Sequence, residues 1–147
     1  NGRNSRLDSL QALVLNEKLK KLSEWNQIRK DTASLYRELL ADIPNLTLTK
    51  ELELSDGVYH LMVVRHPKRD LIRKKLEDYG IQSGIHYPHA LTQLPHYSNA
   101  LKPELCKVAE ESASQVFSLP MGEHMNPDLV RYVCNSLKSI MTEKDFS

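Results

Sequence analysis

Three groups of residues in this 147-residue chain carry side chains able to hold a ligand. The first is Asn4, Ser5 and Arg6. Ser5-x-x-Asp8 has the spacing of a capping box, in which the hydroxyl accepts from the third backbone N–H and the carboxylate reaches back, so a helix is expected just after Ser5. A helix start presents unpaired N–H groups and the positive end of the macrodipole, which with Asn4 and Arg6 beside it makes a seat for an anion. An ordinary capped helix is the other reading. The second group is Gly84-Ile85-His86-Tyr87-Pro88, where the chain leaves a predicted strand. An imidazole and a phenol there supply a donor, an acceptor and amphipathic rings suited to a hydroxyl-rich ligand, against the alternative of a plain turn. The third is His86, His89 and His96, three imidazoles within eleven residues that could meet around zinc. Pro88 breaks helical spacing and no acidic or thiol ligand lies nearby, so no metal site is assigned. Cys106 and Cys134 lack CxxC spacing and sit in apolar helical patterns, as buried reduced thiols do.

The elements that must position these groups follow from periodicity. Leu10, Val14, Leu15, Leu19, Leu22, Trp25, Ile28, Leu35 and Leu39 recur at helical spacing until Ile43-Pro44, with charged residues on the opposite face. A helix of about 35 residues is far longer than the mean of ~11–12 and is expected to bridge two domains. Leu46 and Leu48 mark a short strand, and Val58 to Arg65 a central one. Asp70 to Tyr79 is an amphipathic helix with Leu71, Ile72, Leu76 and Tyr79 inward, closed by Gly80. Ile81, Ser83 and Ile85 alternate as a further strand, so strand, helix and strand could form a crossover within one sheet. From Glu104 a helix sets Leu105, Val108, Ala109, Ala113 and Val116 on one side, and residues 116–119 form a last strand. Asn126 caps a final helix with Pro127 at its first position and Leu129, Val130, Val133, Leu137 and Ile140 inward. The fold class expected is α+β, a long N-terminal helix followed by a small α/β sandwich. The divisions are 1–43 for the long helix and what precedes it, 44–141 for the small domain and 142–147 for a tail.

Twenty basic against nineteen acidic residues leave a net charge of +1, with no block of like charge to attract nucleic acid or a membrane surface. The longest apolar run, Leu61-Met62-Val63-Val64, is far short of the ~20 residues that span a bilayer, so a cytoplasmic protein is expected. The first residue is asparagine, not methionine, which reads as a piece of a longer chain.

Gly2-Arg3-Asn4-Ser5-Arg6-Leu7-Asp8-Ser9-Leu10-Gln11-Ala12 resembles the Gly-x-Asn-Ser-Arg-Leu-Asp-x-Leu-Gln-Ala signature of the pyridoxal-phosphate-dependent sugar aminotransferases of the DegT/DnrJ/EryC1/StrS type. Trp25-Asn26, Arg29, Ala33 and Tyr36 are similar to the pattern along that family's interdomain helix. Gly84-Ile85-His86-Tyr87-Pro88, with Pro95 and Tyr97 after it, looks like the segment lining its substrate cleft, although relatives carry a proline and a histidine where this chain has Ala90 and Thr92. Ser118-Leu119-Pro120-Met121 and Tyr59-His60-Leu61 also match, as structural segments. The resemblance implies the C-terminal small domain of a type I aminotransferase fold. It further implies that Asn4 binds the phosphate of the partner subunit's pyridoxal phosphate in a homodimer, that Arg6, His86 and Tyr87 contact a nucleotide-sugar substrate, and that glutamate supplies the amino group to a keto sugar.

The family's Schiff-base lysine belongs to a Ser-x-x-x-Lys segment before a glycine-rich turn, and this chain contains none. Its five glycines are scattered, and its lysines fall on helix faces, in turns or in the polar linker. No catalytic residue is therefore assigned, and the chain alone is expected neither to bind pyridoxal phosphate nor to transaminate. The alternative is a stand-alone binding or dimerisation module that reuses the same fold.

Overall fold

The computed structural model describes residues 6–97 and 106–146. Helix α1 is a single helix, Ser9–Leu40, of 32 residues. It starts later than the sequence suggests. Asp8 is itself the N-cap, its carboxylate accepting from Gln11 N at 2.8 Å, because an aspartate cap satisfies the third N–H directly and places negative charge at the positive helix end. Ser5, the expected cap, lies outside the described residues.

After α1 come β1 (Thr47–Leu48), β2 (Met62–Arg65), α2 (Arg69–Asp78), a 3-10 turn (Leu91–Gln93), α3 (Lys107–Gln115), β3 (Val116–Leu119), α4 (Pro127–Met141) and a last 3-10 turn (Lys144–Phe146). The protein is α+β. Its sheet is antiparallel in the order β1-β2-β3, with Thr47 opposite Arg65 and Met62 opposite Leu119.

Two predicted strands are shortened, each for a visible reason. Val58 to Leu61 lies outside β2 because Tyr59 has a positive φ of 49°, and its carbonyl and that of His60 turn toward the Arg29 guanidinium on α1 (3.5 and 3.2 Å). The Ile81-Ser83-Ile85 strand reduces to one antiparallel bridge, Gly84 with Ser118. Arg73 captures the Ser83 carbonyl at 3.0 Å and the Ser83 hydroxyl at 3.2 Å, so pairing stops there. Since β3 pairs antiparallel with β2 on one side and with Gly84 on the other, β2 and residue 84 run parallel with β3 between them. The crossover through α2 thus spans an intervening strand.

Period-two alternation turns Met62, Val64, Phe117 and Leu119 to one face of the sheet. There they meet Tyr36 and Leu40 from α1, Ile72 and Leu76 from α2, and Leu137 and Ile140 from α4 in one core. Asn126 caps α4 by accepting from Leu129 N at 2.9 Å, with Pro127 following. Gly80, at φ 70°, ends α2 in a Schellman arrangement: Gly80 N donates to Glu77 O and Ile81 N to Leu76 O, both at 2.9 Å.

Some faces differ from their predicted direction. Tyr79 and Leu129 are exposed, and the hydroxyl of Tyr132 on α4 donates to the Tyr79 carbonyl at 2.8 Å. Helix α3 starts at Lys107, and its Val108 and Ala109 are exposed while Ala113 is buried; Glu104 and Leu105 lie outside the described residues. On α1 only the C-terminal part is covered. Leu10, Val14, Leu15, Leu19 and Leu22 stand in solvent, Leu10 at 75 % exposure. No helix among the described residues is long and apolar enough to cross a membrane.

Candidate substrate cleft

The chain leaves the Gly84–Ser118 bridge and at once presents His86 and Tyr87. Both backbone groups of Ser118 are engaged, its N–H donating to Gly84 O at 2.8 Å and its carbonyl accepting from Gly84 N at 3.2 Å. The His86 ring then lies over Gly84, with Nδ1 3.0 Å from the Ser118 hydroxyl. Tyr87 meets the ring edge-on, the centroids 6.1 Å apart, with its phenol 75 % exposed. The His86–Tyr87 peptide is cis.

These residues stand at the mouth of an open cleft of about 730 Å³. Leu91 and Leu94 from the 3-10 turn and Ala113 and Val116 from the α3–β3 corner make its walls. Buried Arg69 at the start of α2 holds that corner, donating to the carbonyls of Ala113 and, at 3.3 Å, Val116. Thr92 fixes the opposite wall, its buried hydroxyl donating to Glu110 Oε1 of α3 at 2.6 Å. Thr92 therefore joins the two walls.

The cleft is mostly apolar with a few hydrogen-bonding groups, His86, Tyr87, His89 and Ser112, in its lining, the kind of arrangement that orients a small polar ligand. Among the described residues its lining has no lysine, arginine or carboxylate. These described walls by themselves offer neither the amine that pyridoxal phosphate bonds to nor a lysine or arginine for its phosphate, and so do not fit that cofactor.

The sequence-predicted residues divide as follows. His86 and Tyr87 come together at the cleft. Asn4 lies outside the described residues. Arg6 is exposed just before α1 and is not part of the cleft lining. His86, His89 and His96 are all exposed, and among the described residues no three metal-ligating side chains are grouped to hold an ion, so the zinc alternative has no ligand set. Cys134 is buried and Cys106 half-buried, both free thiols. Burial pushes the Cys134 thiol up to about 12, with the Lys138 and Arg131 charges opposing the shift. Sequence reasoning passed over Ser118 and Thr92. A polar residue inside a strand otherwise made of Val, Phe and Leu was the available signal for Ser118.

Comparison with known proteins places this α+β chain in a family. The chain belongs to the DegT/DnrJ/EryC1/StrS aminotransferase family, whose model matches residues 1–138. It is 40 % identical over 139 residues to the erythromycin biosynthesis sensory transduction protein EryC1 of Saccharopolyspora erythraea, covering 94 % of this chain and 38 % of that one. It is 39 % identical over 134 residues to the dTDP-3-amino-3,4,6-trideoxy-alpha-D-glucose transaminase of Streptomyces venezuelae, covering 90 % and 35 %. Among solved structures, S. venezuelae DesV in complex with a ketimine intermediate matches with a TM-score of 0.90 at 35 % identity, covering 97 % of this chain and 39 % of that one. The chain thus spans less than two fifths of the length of these relatives.

Proposed function

We propose that this chain is the C-terminal portion of a pyridoxal-phosphate-dependent aminotransferase that moves an amino group from glutamate to a keto sugar carried on a nucleotide. The observation that carries the reading is the pairing of His86 and Tyr87 in the lining of a mostly apolar cleft. A sugar ring needs such a place, with apolar walls against its C–H faces and a few donors and acceptors for its hydroxyls. A relative that is 39 % identical is named a transaminase of a dTDP-linked amino sugar, which supports the substrate class.

In this reading residues 1–43 end the large domain and form the interdomain helix, residues 44–141 are the small domain and 142–147 its tail. The exposed leucines of residues 7–22 are the face that the large domain covers. The lysine that holds the cofactor belongs to that large domain, and the cofactor supplies the carbanion stabilisation that amino transfer requires. This chain contributes His86 and Tyr87 to the sugar, Arg6 to the substrate's diphosphate and Asn4 to the phosphate of the cofactor in the partner subunit of a homodimer. Alone, it does not transaminate.

The test is an assay of the longer protein with glutamate and keto-sugar nucleotides of the dTDP and UDP series. An amino-sugar nucleotide and 2-oxoglutarate in equal amounts are the expected products, and Asn4→Ala is expected to weaken retention of pyridoxal phosphate. A cofactor-loaded protein that transfers nothing to any of these sugars would overturn the reading.

A further inference from the structure

Ser118 lies in the middle of β3 with Phe117 and Leu119 facing the core on either side of it. Alternation turns its side chain to the other face of the sheet, the face on which Val116 lines the cleft. Its hydroxyl, on a residue only 4 % exposed, is 3.0 Å from His86 Nδ1. The same two segments are joined by the paired backbone bonds between Ser118 and Gly84. Gly84 has a second part in this arrangement. A Cβ at that position would lie 2.5 Å from His86 Cε1 and 3.2 Å from Nδ1, closer than carbon atoms approach, so the imidazole rests where only glycine leaves room.

We infer that Ser118 and Gly84 are positioning residues that fix the His86 imidazole at the mouth of the cleft for contact with the sugar. The inference rests on the proposed function for what His86 contacts, and on the geometry alone for what holds His86. An exposed histidine ordinarily samples several rotamers, and ordering it when the ligand arrives costs binding free energy. A hydroxyl bonded to Nδ1 and a bare Cα beneath the ring remove that freedom beforehand. With one ring nitrogen engaged by protein, the other is left for ligand, and which of the two carries the proton is coupled to the bond at Nδ1. Both supports come from backbone that is itself hydrogen-bonded, so ring and sheet move as a unit.

Two measurements separate the parts of this inference. In NMR of the 147-residue chain, the His86 Hε1 proton should show a strong NOE to Gly84 Hα. Ser118→Ala should at least halve that NOE and broaden the ring resonances, while Ser118→Thr, which keeps the hydroxyl, should restore it. Gly84→Ala should remove the contact by a different route, which keeps the test open if one variant folds poorly. In the longer enzyme, Ser118→Ala should raise KM for the sugar nucleotide roughly two- to tenfold, the range of one lost hydrogen bond, with little change in kcat. An unchanged NOE in folded Ser118→Ala overturns the inference. A lost NOE with unchanged KM overturns the positioning role by removing His86 from the substrate contact. Failure of the proposed function itself looks different, since the unsubstituted enzyme would then transfer no amino group.

Discussion

The phenol of Tyr36, wholly buried on α1, donates to the Pro120 carbonyl at 3.0 Å, tying the long helix to the chain just after β3. Two segments far apart in sequence meet in this bond. Burial holds the Tyr36 hydroxyl protonated well above the ordinary phenol range, so it remains a donor at any working pH. Tyr36→Phe keeps the ring volume and leaves the carbonyl without its donor. The expected cost is about 1–2 kcal/mol, read as a lower denaturation midpoint with an unchanged m value. A midpoint equal to that of the parent would show that the bond carries no net stability.

His66 sets an acid limit. The side chain is buried, its Nδ1 accepts from Lys68 N at 2.9 Å, and its ring packs edge-on to Phe146 with centroids 6.0 Å apart. Burial and, second, the Lys68 charge hold its pKa below the ordinary 6.5. Below that value the unfolded chain binds a proton that the folded chain resists. The stabilising contribution is therefore present above the unfolded value of 6.5 and is lost as pH falls from there through the lower folded value. Denaturant titrations at about pH 7 and pH 5 should show a larger loss for the parent than for His66→Gln. Equal losses would remove His66 from the acid response.

The two thiols should separate kinetically. Cys134 is fully buried with its thiol pushed up to about 12, whereas Cys106 is half-buried where α3 begins. Since thiolate is the reactive form, native protein at about pH 8 should yield one fast equivalent with a disulfide reagent, and denatured protein two. Two fast equivalents in the native state would mean that α4 opens readily.

The leucine face of residues 7–22 makes a prediction about the chain on its own. Seven large apolar side chains from Leu7 to Leu22 are exposed just before and along the first half of α1, and clustered exposed apolar side chains of this kind favour association. Sedimentation should show self-association that weakens when Leu10 and Leu15 are both changed to glutamate. A chain that stays monomeric at high micromolar concentration would argue against an adhesive face.

Much of this architecture was legible because its signals are local. The 3.6-residue period gave α1, and the Asn126-Pro127 and Gly80 boundaries marked the ends of α4 and α2 within a residue, since caps and left-handed glycines act through their own neighbours. What escaped depends on partners remote in sequence. Tyr59 reads as a strand residue until Arg29, 30 positions earlier, takes its carbonyl. Residues 81–85 alternate like a strand, but the Arg73 guanidinium holds Ser83 and leaves a single bridge. At the cleft, His86 and Tyr87 can be picked out by residue type, while Ser118 shows only as a polar residue in an apolar strand, because its role comes from a histidine 32 positions away. Asp8 reads as the partner in a cap and is the cap itself, a shift of three residues that periodicity does not fix.

The most direct test of the central claim is the mass of the natural gene product that carries this sequence, taken after borohydride treatment. The expected result is a protein more than twice the 16.9 kDa of this chain, with a pyridoxyl group on a lysine upstream of Asn1. A 16.9 kDa product that takes up no pyridoxal phosphate would contradict it and leave a free-standing module in its place.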